Sequence, residues 1–123
     1  MIREPAVAGT FYPQDREELL AYLQQTVPAQ VQTETCLGVI SPHAGYVYSG
    51  AIAARVFAET DIPRQVVILG PNHHGLGADA AVFNKGGWQT PLGNVPIAVG
   101  LAEHLIAHCP LLQADQSAHR LEH

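Results

Sequence analysis

Two short apolar runs, each closing in Pro, Gly and His, constrain this chain more than any other feature. Leu37-Gly38-Val39-Ile40 leads into Ser41-Pro42-His43-Ala44-Gly45-Tyr46-Val47-Tyr48-Ser49-Gly50, and Val66-Val67-Ile68-Leu69 leads into Gly70-Pro71-Asn72-His73-His74-Gly75. Aliphatic, β-branched runs of this length, stopped by Pro and Gly, predict buried strands that end in sharp loops. Between them, Ser49 to Thr60 reads as a helix: Ile52/Val56 and Ala53/Phe57 are i,i+4 pairs that would face a sheet, with Ser49 as the N-cap. Strand, helix, strand is a βαβ unit with a right-handed crossover, so the two strands run parallel and end on one edge. His43 and His73 fall just past those ends, where open α/β sheets place their ligand sites.

A chain of 123 residues is expected to form one domain with a real core, and 47% hydrophobic with 14% charged residues fits an ordered α/β protein. The net charge of −5, with Lys85 as the single lysine, excludes a nucleic-acid surface. Met1-Ile2-Arg3-Glu4-Pro5 lacks the apolar run of a signal peptide, and no stretch is long enough to cross a membrane. A cytoplasmic, reducing location is therefore expected, with Cys36 and Cys109 as inert core thiols.

The remaining elements follow from local signals. Asp15 with Glu18 three residues on is a variant capping box, and Leu19, Tyr22, Leu23 and Val27 recur at helical spacing, so residues 15–26 are predicted as a helix stopped by Pro28. Phe11 and Tyr12 would anchor the small-residue loop before it. Ala80 to Phe83 is a candidate third strand. Trp88 to Ile97 reads as a hairpin turned at Pro91-Leu92-Gly93-Asn94. Leu101, Ala102, Leu105, Ile106 and Cys109 define a last amphipathic helix, ended by Pro110.

Seven histidines direct attention to metal or proton chemistry. A neutral imidazole is a common ligand for iron, zinc and copper, and His43 and His73 on adjacent strand ends would converge on one ion; the plainer reading makes each a satisfied loop histidine. Two histidines need a third ligand from elsewhere. His74, the neighbour of His73, points away in an extended loop and suits a ligand-orienting or proton-carrying role. Tyr46 and Tyr48 either offer hydroxyls to a pocket or pack over the crossover. His104 and His108 are four apart on a helix, but Leu105 stands where a zincin has Glu, so they read as solvated surface residues. Asp115, His119, Glu122 and His123 form a polar cluster that is either an exposed tail or the opening of a motif. No Gly-x-Ser-x-Gly surrounds Ser49, and no Lys-Ser/Thr follows Gly70 to Gly77, so a nucleophile elbow and a P-loop are both excluded.

Four blocks together resemble the MEMO family: Ala6-Val7-Ala8-Gly9-Thr10-Phe11-Tyr12-Pro13, the Ser41–Gly50 block, Ile68-Leu69-Gly70-Pro71-Asn72-His73-His74, and Trp88-Gln89-Thr90-Pro91-Leu92-Gly93. They occur in the family's order. The resemblance implies a three-layer α/β/α fold with a mixed sheet, like the class III extradiol dioxygenases, which hold non-haem Fe(II) with two histidines and a carboxylate. It places His43 and His73 in the metal pocket, with Fe(II) expected first and copper or zinc as alternatives, and it leaves His74 as a candidate catalytic base. Family chains are about twice as long, and their further pocket residues, an Asp/His segment and a Cys, lie past residue 123. The chain thus resembles the amino-terminal part of a single MEMO-like domain, residues 1–123.

Two functions follow as expectations. One is a metal-binding, dioxygenase-like protein, with turnover left open. The other is a binding or scaffold protein using the same pocket for a peptide or protein partner; for a phosphopeptide, the net charge of −5 and the few cations argue against it. The family association also implies a radical-SAM partner. A half-domain should expose an apolar sheet edge or face, favouring a homo-oligomer or union with a carboxyl-terminal half.

Overall fold

A computed structural model describes residues 1–123. In chain order the elements are β1 (Ile2–Arg3), α1 (Arg16–Thr26), α2 (Tyr46–Ala58), β2 (Ala81–Val82), β3 (Gly87–Thr90), β4 (Gly93–Pro96), α3 (Val99–His108) and β5 (Gln113–Ala114), then a 3₁₀ turn at Ser117–His119. This is a mixed α/β chain. It divides into two compact units, one of Met1–Val7 with Ile68–His123 and the other of Ala8–Val67.

In the Ala8–Val67 unit, α1 starts where its cap dictates. Asp15 Oδ1 accepts from the Glu17 and Glu18 N–H groups at 2.9 and 3.0 Å, satisfying two otherwise orphaned donors. Leu19 is the buried residue of its inner face. Helix α2 begins three residues before the expected Ser49 cap. The Tyr46 N–H finds the Phe11 carbonyl at 2.7 Å, so the helix needs no capping side chain at Gly45. Ser49 lies inside the helix, buried, with its hydroxyl donating to the Ala44 carbonyl at 2.9 Å.

Helices α1 and α2 meet through tyrosines. Tyr22 donates its hydroxyl to the Tyr46 carbonyl at 3.0 Å, and the Tyr46 ring packs against Tyr22 and Tyr12 with centroids 5.3 and 5.5 Å away. Of the two readings for Tyr46, packing is the one observed. Burial, reinforced by Tyr12 and Tyr22, raises its phenol above the ordinary value of 10.0. Gly50 makes this approach feasible, since a Cβ there would stand 2.1 Å from the Tyr22 hydroxyl. Gly→Ala inside a helix normally gains up to about 1 kcal/mol. Here overpacking of about 1–3 kcal/mol and the lost Tyr22 hydrogen bond outweigh that gain. Gly50→Ala is expected to lower the urea midpoint, and to raise it in a Tyr22→Ala background.

The two apolar runs depart from expectation. Neither Leu37–Ile40 nor Val66–Leu69 forms a strand, and Leu37, Ile40, Ile68 and Leu69 are almost wholly exposed. A single parallel bridge forms outside both runs, between Glu34 and Thr60, with the Glu34 N–H on the Glu59 carbonyl and the Asp61 N–H on the Glu34 carbonyl, each at 2.9 Å. It does not propagate. An apolar run becomes a strand only when ladder partners take up its backbone groups. The same lack of cover leaves Ile52 62% and Phe57 47% exposed on α2, Tyr48 largely exposed, and Cys36 an exposed rather than a core thiol. The core is correspondingly small: Leu19, Phe83, Ala102 and Ala118 are its buried hydrophobic residues.

In the other unit the hairpin forms as expected, with Trp88 opposite Val95 and Thr90 opposite Gly93. Strand β1 adds to β3 in parallel, pairing Ile2 with Gly87 and Arg3 with Trp88, so the three-stranded sheet is mixed. Strand β2 matches the expected third strand and pairs in parallel with β5. No helix is long and apolar enough to cross a membrane.

Candidate metal centre

The loop carrying His73 is tied by its own asparagine. Asn72 donates from Nδ2 to the Leu76 carbonyl at 2.7 Å and accepts the Gly75 N–H on Oδ1 at 2.8 Å. This Asx-type closure turns the His73 and His74 N–H groups outward together. Both meet one acceptor: Glu122 Oε1 takes the His73 N–H at 2.7 Å and the His74 N–H at 3.2 Å. The second oxygen, Oε2, lies 2.6 Å from His73 Nδ1. A carboxylate only accepts, so His73 Nδ1 carries the proton and its Nε2 does not. The next residue, His123, places its ring 4.5 Å from the His73 ring at 31°. Burial alone would push the Glu122 carboxyl up, but the hydrogen bonds from the His73 ring and the two N–H groups hold it below the ordinary 4.5.

Glu122 is held from behind. Arg3 donates from Nε to the His119 carbonyl at 2.7 Å and from Nη2 to the Glu122 carbonyl, while its guanidinium lies 4.4 Å from the Trp88 ring centroid. The β1–β3 register that sets Arg3 beside Trp88 therefore fixes the main chain at Glu122. Asp115 anchors the start of the same segment, accepting the Ala78 N–H on Oδ2 and the Ser117 N–H on Oδ1, both at 2.7 Å. Its hydrogen bonds, first that from the Ser117 hydroxyl, lower its carboxyl below the ordinary 3.8. The polar cluster at the end of the chain is thus an organised segment rather than a loose tail.

His119 sits edge-on to Phe83 with centroids 5.6 Å apart, and its Nε2 is buried without a hydrogen-bond partner. Burial lowers its pKa below the ordinary 6.5, with Arg3 adding repulsion, against opposing pulls from the Ala81 backbone, Asp115 and Glu122. The unfolded chain then binds the extra proton first, so this contribution to stability is complete above about pH 6.5 and is lost as pH falls through the lower folded value. His119→Phe is expected to flatten the fall in urea midpoint between about pH 7 and 5.

His43 lies in the other unit, just before α2, and is exposed; His74 is also exposed, tied to Glu122 only through its backbone. His43, His73 and His123 are each exposed, and within one unit the His73 and His123 imidazoles stand together. Imidazole donors suit zinc, copper, iron or nickel. The sequence singled out His43 and His73 as candidates but did not show that Glu122, braced by Arg3, holds the His73 loop. The Glu-His doublet at Glu122 was the one local signal; nothing near Arg3 announces its reach. His104 and His108 are exposed, as expected, with rings stacked at 4.0 Å and His108 Nδ1 2.8 Å from the His104 carbonyl.

The Memo-like protein family matches residues 3–123, and the chain belongs to that family. It is 41% identical over 138 residues to a MEMO1 family protein of Methanobrevibacter smithii, covering 100% of this chain and 49% of that protein. It is 43% identical over 136 residues to one from Methanopyrus kandleri, covering 100% and 48%. A third, from Aquifex aeolicus, is 42% identical over 123 residues, covering 99% and 46%. The chain spans about half the length of the curated relatives it matches.

Proposed function

We propose that this chain contributes the amino-terminal half of a MEMO-like α/β/α domain whose pocket binds a divalent transition metal, with His43 and His73 as ligands. The observation that carries the reading lies within one unit: the Glu122 carboxylate holds His73 Nδ1 at 2.6 Å, with the His123 ring beside it. With the proton held on Nδ1 by Glu122, Nε2 is the nitrogen whose lone pair a metal would take. The imidazole set fits such an ion, with Fe(II) taken first and copper or zinc as competitors. When bound, the ion would supply Lewis-acid and redox chemistry of the kind used in extradiol dioxygenases. The chain's own part is to present two neutral imidazoles and, through His74 on the same loop, a base beside them.

The exposed Leu37–Ile40 and Val66–Leu69 runs favour a second element of the proposal. The remaining half of the relatives' length would supply the strand neighbours that turn these runs into a sheet. The test of the pocket is metal titration of protein without a histidine tag, comparing the unaltered chain with His43→Ala plus His73→Ala. Equal metal uptake by the two would remove the pocket.

A further inference from the structure

We infer that Glu122 is the positioning residue that selects the tautomer of His73 and aims its Nε2 for ligation, and that Arg3 holds Glu122 in place to do so. The inference rests on the metal-pocket reading for its purpose, but its geometry lies wholly within one unit. One carboxylate engages three donors of a single loop: the His73 ring, the His73 N–H and the His74 N–H, at 2.6, 2.7 and 3.2 Å. A lone contact would leave the ring free to turn about its side-chain torsions. Three contacts from one group fix the loop backbone and the ring together, so the imidazole has one orientation relative to its own main chain. The Glu122 side chain is only 12% exposed, against 35% for His73, so water competes poorly for the carboxylate.

The proton on Nδ1 matters because a neutral imidazole binds a metal through its unprotonated nitrogen. A carboxylate on the far nitrogen both chooses that nitrogen and makes it more basic. Glu122 would do this without being a metal ligand, since its oxygens are occupied by the His73–His74 loop. The grip of Arg3 on the His119 and Glu122 carbonyls removes the backbone freedom that would otherwise let the carboxylate drift. Arg3 thereby acts on His73 through the Glu122 main chain.

The test uses the whole chain with His104→Ala and His108→Ala in every version, so that the exposed pair takes up no metal. Nitrogen-15 NMR of the metal-free protein reads the His73 tautomer, and zinc titration reads affinity. The expected result is an Nδ1–H tautomer at His73 in the parent and loss of that state in Glu122→Ala. Zinc affinity should fall roughly 10–100-fold, the usual cost of losing a group that orients a histidine ligand. Glu122→Gln, which keeps an acceptor oxygen but no charge, should retain the fold and fall between the two. An unchanged tautomer in Glu122→Ala, or zinc affinity within about twofold of the parent, overturns the inference. His73→Ala separates the two ideas. If it loses zinc while Glu122→Ala does not, the pocket stands and the role of Glu122 falls. If neither loses zinc, the pocket itself falls, and the inference with it.

Discussion

Zinc binding by the chain carrying His43→Ala and His73→Ala is expected to weaken by well over the roughly 10–100-fold that removal of an orienting group costs. Each substitution removes a proposed direct donor rather than a residue behind one. The two losses should not add: once one imidazole is gone, the ion has lost its chelate, and the second deletion costs less. Either single substitution should therefore bring most of the drop. His104 and His108 must be absent from parent and variants alike, because exposed imidazoles one helical turn apart would retain weak metal affinity and mask the change. A competing chromophoric chelator gives the affinities, and matching values for parent and double variant would refute the assignment.

Gly86→Ala is expected to be the most damaging single substitution outside the histidines. Gly86 has φ +86°, and a Cβ there would stand 1.8 Å from the Met1 carbonyl oxygen and 2.9 Å from its carbon. The clash is with backbone, so no rotamer relieves it. The left-handed conformation adds strain for any residue with a side chain. Displacing Met1 also breaks the hydrogen bond from the Gly87 N–H, 3.2 Å long, that starts the β1–β3 ladder. Together these should cost about 2–4 kcal/mol, a large share of a typical total of 5–15. The urea midpoint measures it. Gly100→Ala in α3, where a Cβ would meet nothing within 4 Å, is the control and should be neutral or slightly stabilising. Gly86→Ala should also weaken metal binding, because Arg3 in β1 leaves its register with Trp88 in β3 and releases Glu122. A stable Gly86→Ala protein with full affinity would contradict both steps.

What was legible in the sequence depended on how far each signal had to reach. Helix α1 is written locally: Asp15 caps donors two and three residues away, and Leu19 falls on the inner face. The hairpin is equally local, its register following from the turn between Thr90 and Gly93. The runs at Leu37–Ile40 and Val66–Leu69 carry the right composition, but composition sets only a tendency and the ladder needs neighbours. Helix α2 began earlier than read because the carbonyl that receives Tyr46 belongs to Phe11, far back in the chain. The site divides the same way. His43 and His73 announce themselves by their loops, whereas the Arg3 contacts span 116 and 119 residues and His73 to Glu122 spans 49. No periodicity or short motif encodes a pairing at that separation.

The grouping of Met1–Val7 with Ile68–His123 around the contiguous Ala8–Val67 segment sets an order of events during synthesis. The inner segment is complete once residue 67 has emerged, and its helices can dock while translation continues. The opening strand must wait, because its partner at Gly87 and the carbonyls gripped by Arg3, 116 and 119 residues on, are made later. Closing so long a loop is slow. His73 would thus acquire its carboxylate only once Glu122, 49 residues further on, has been made, so the proposed metal uptake would follow that step.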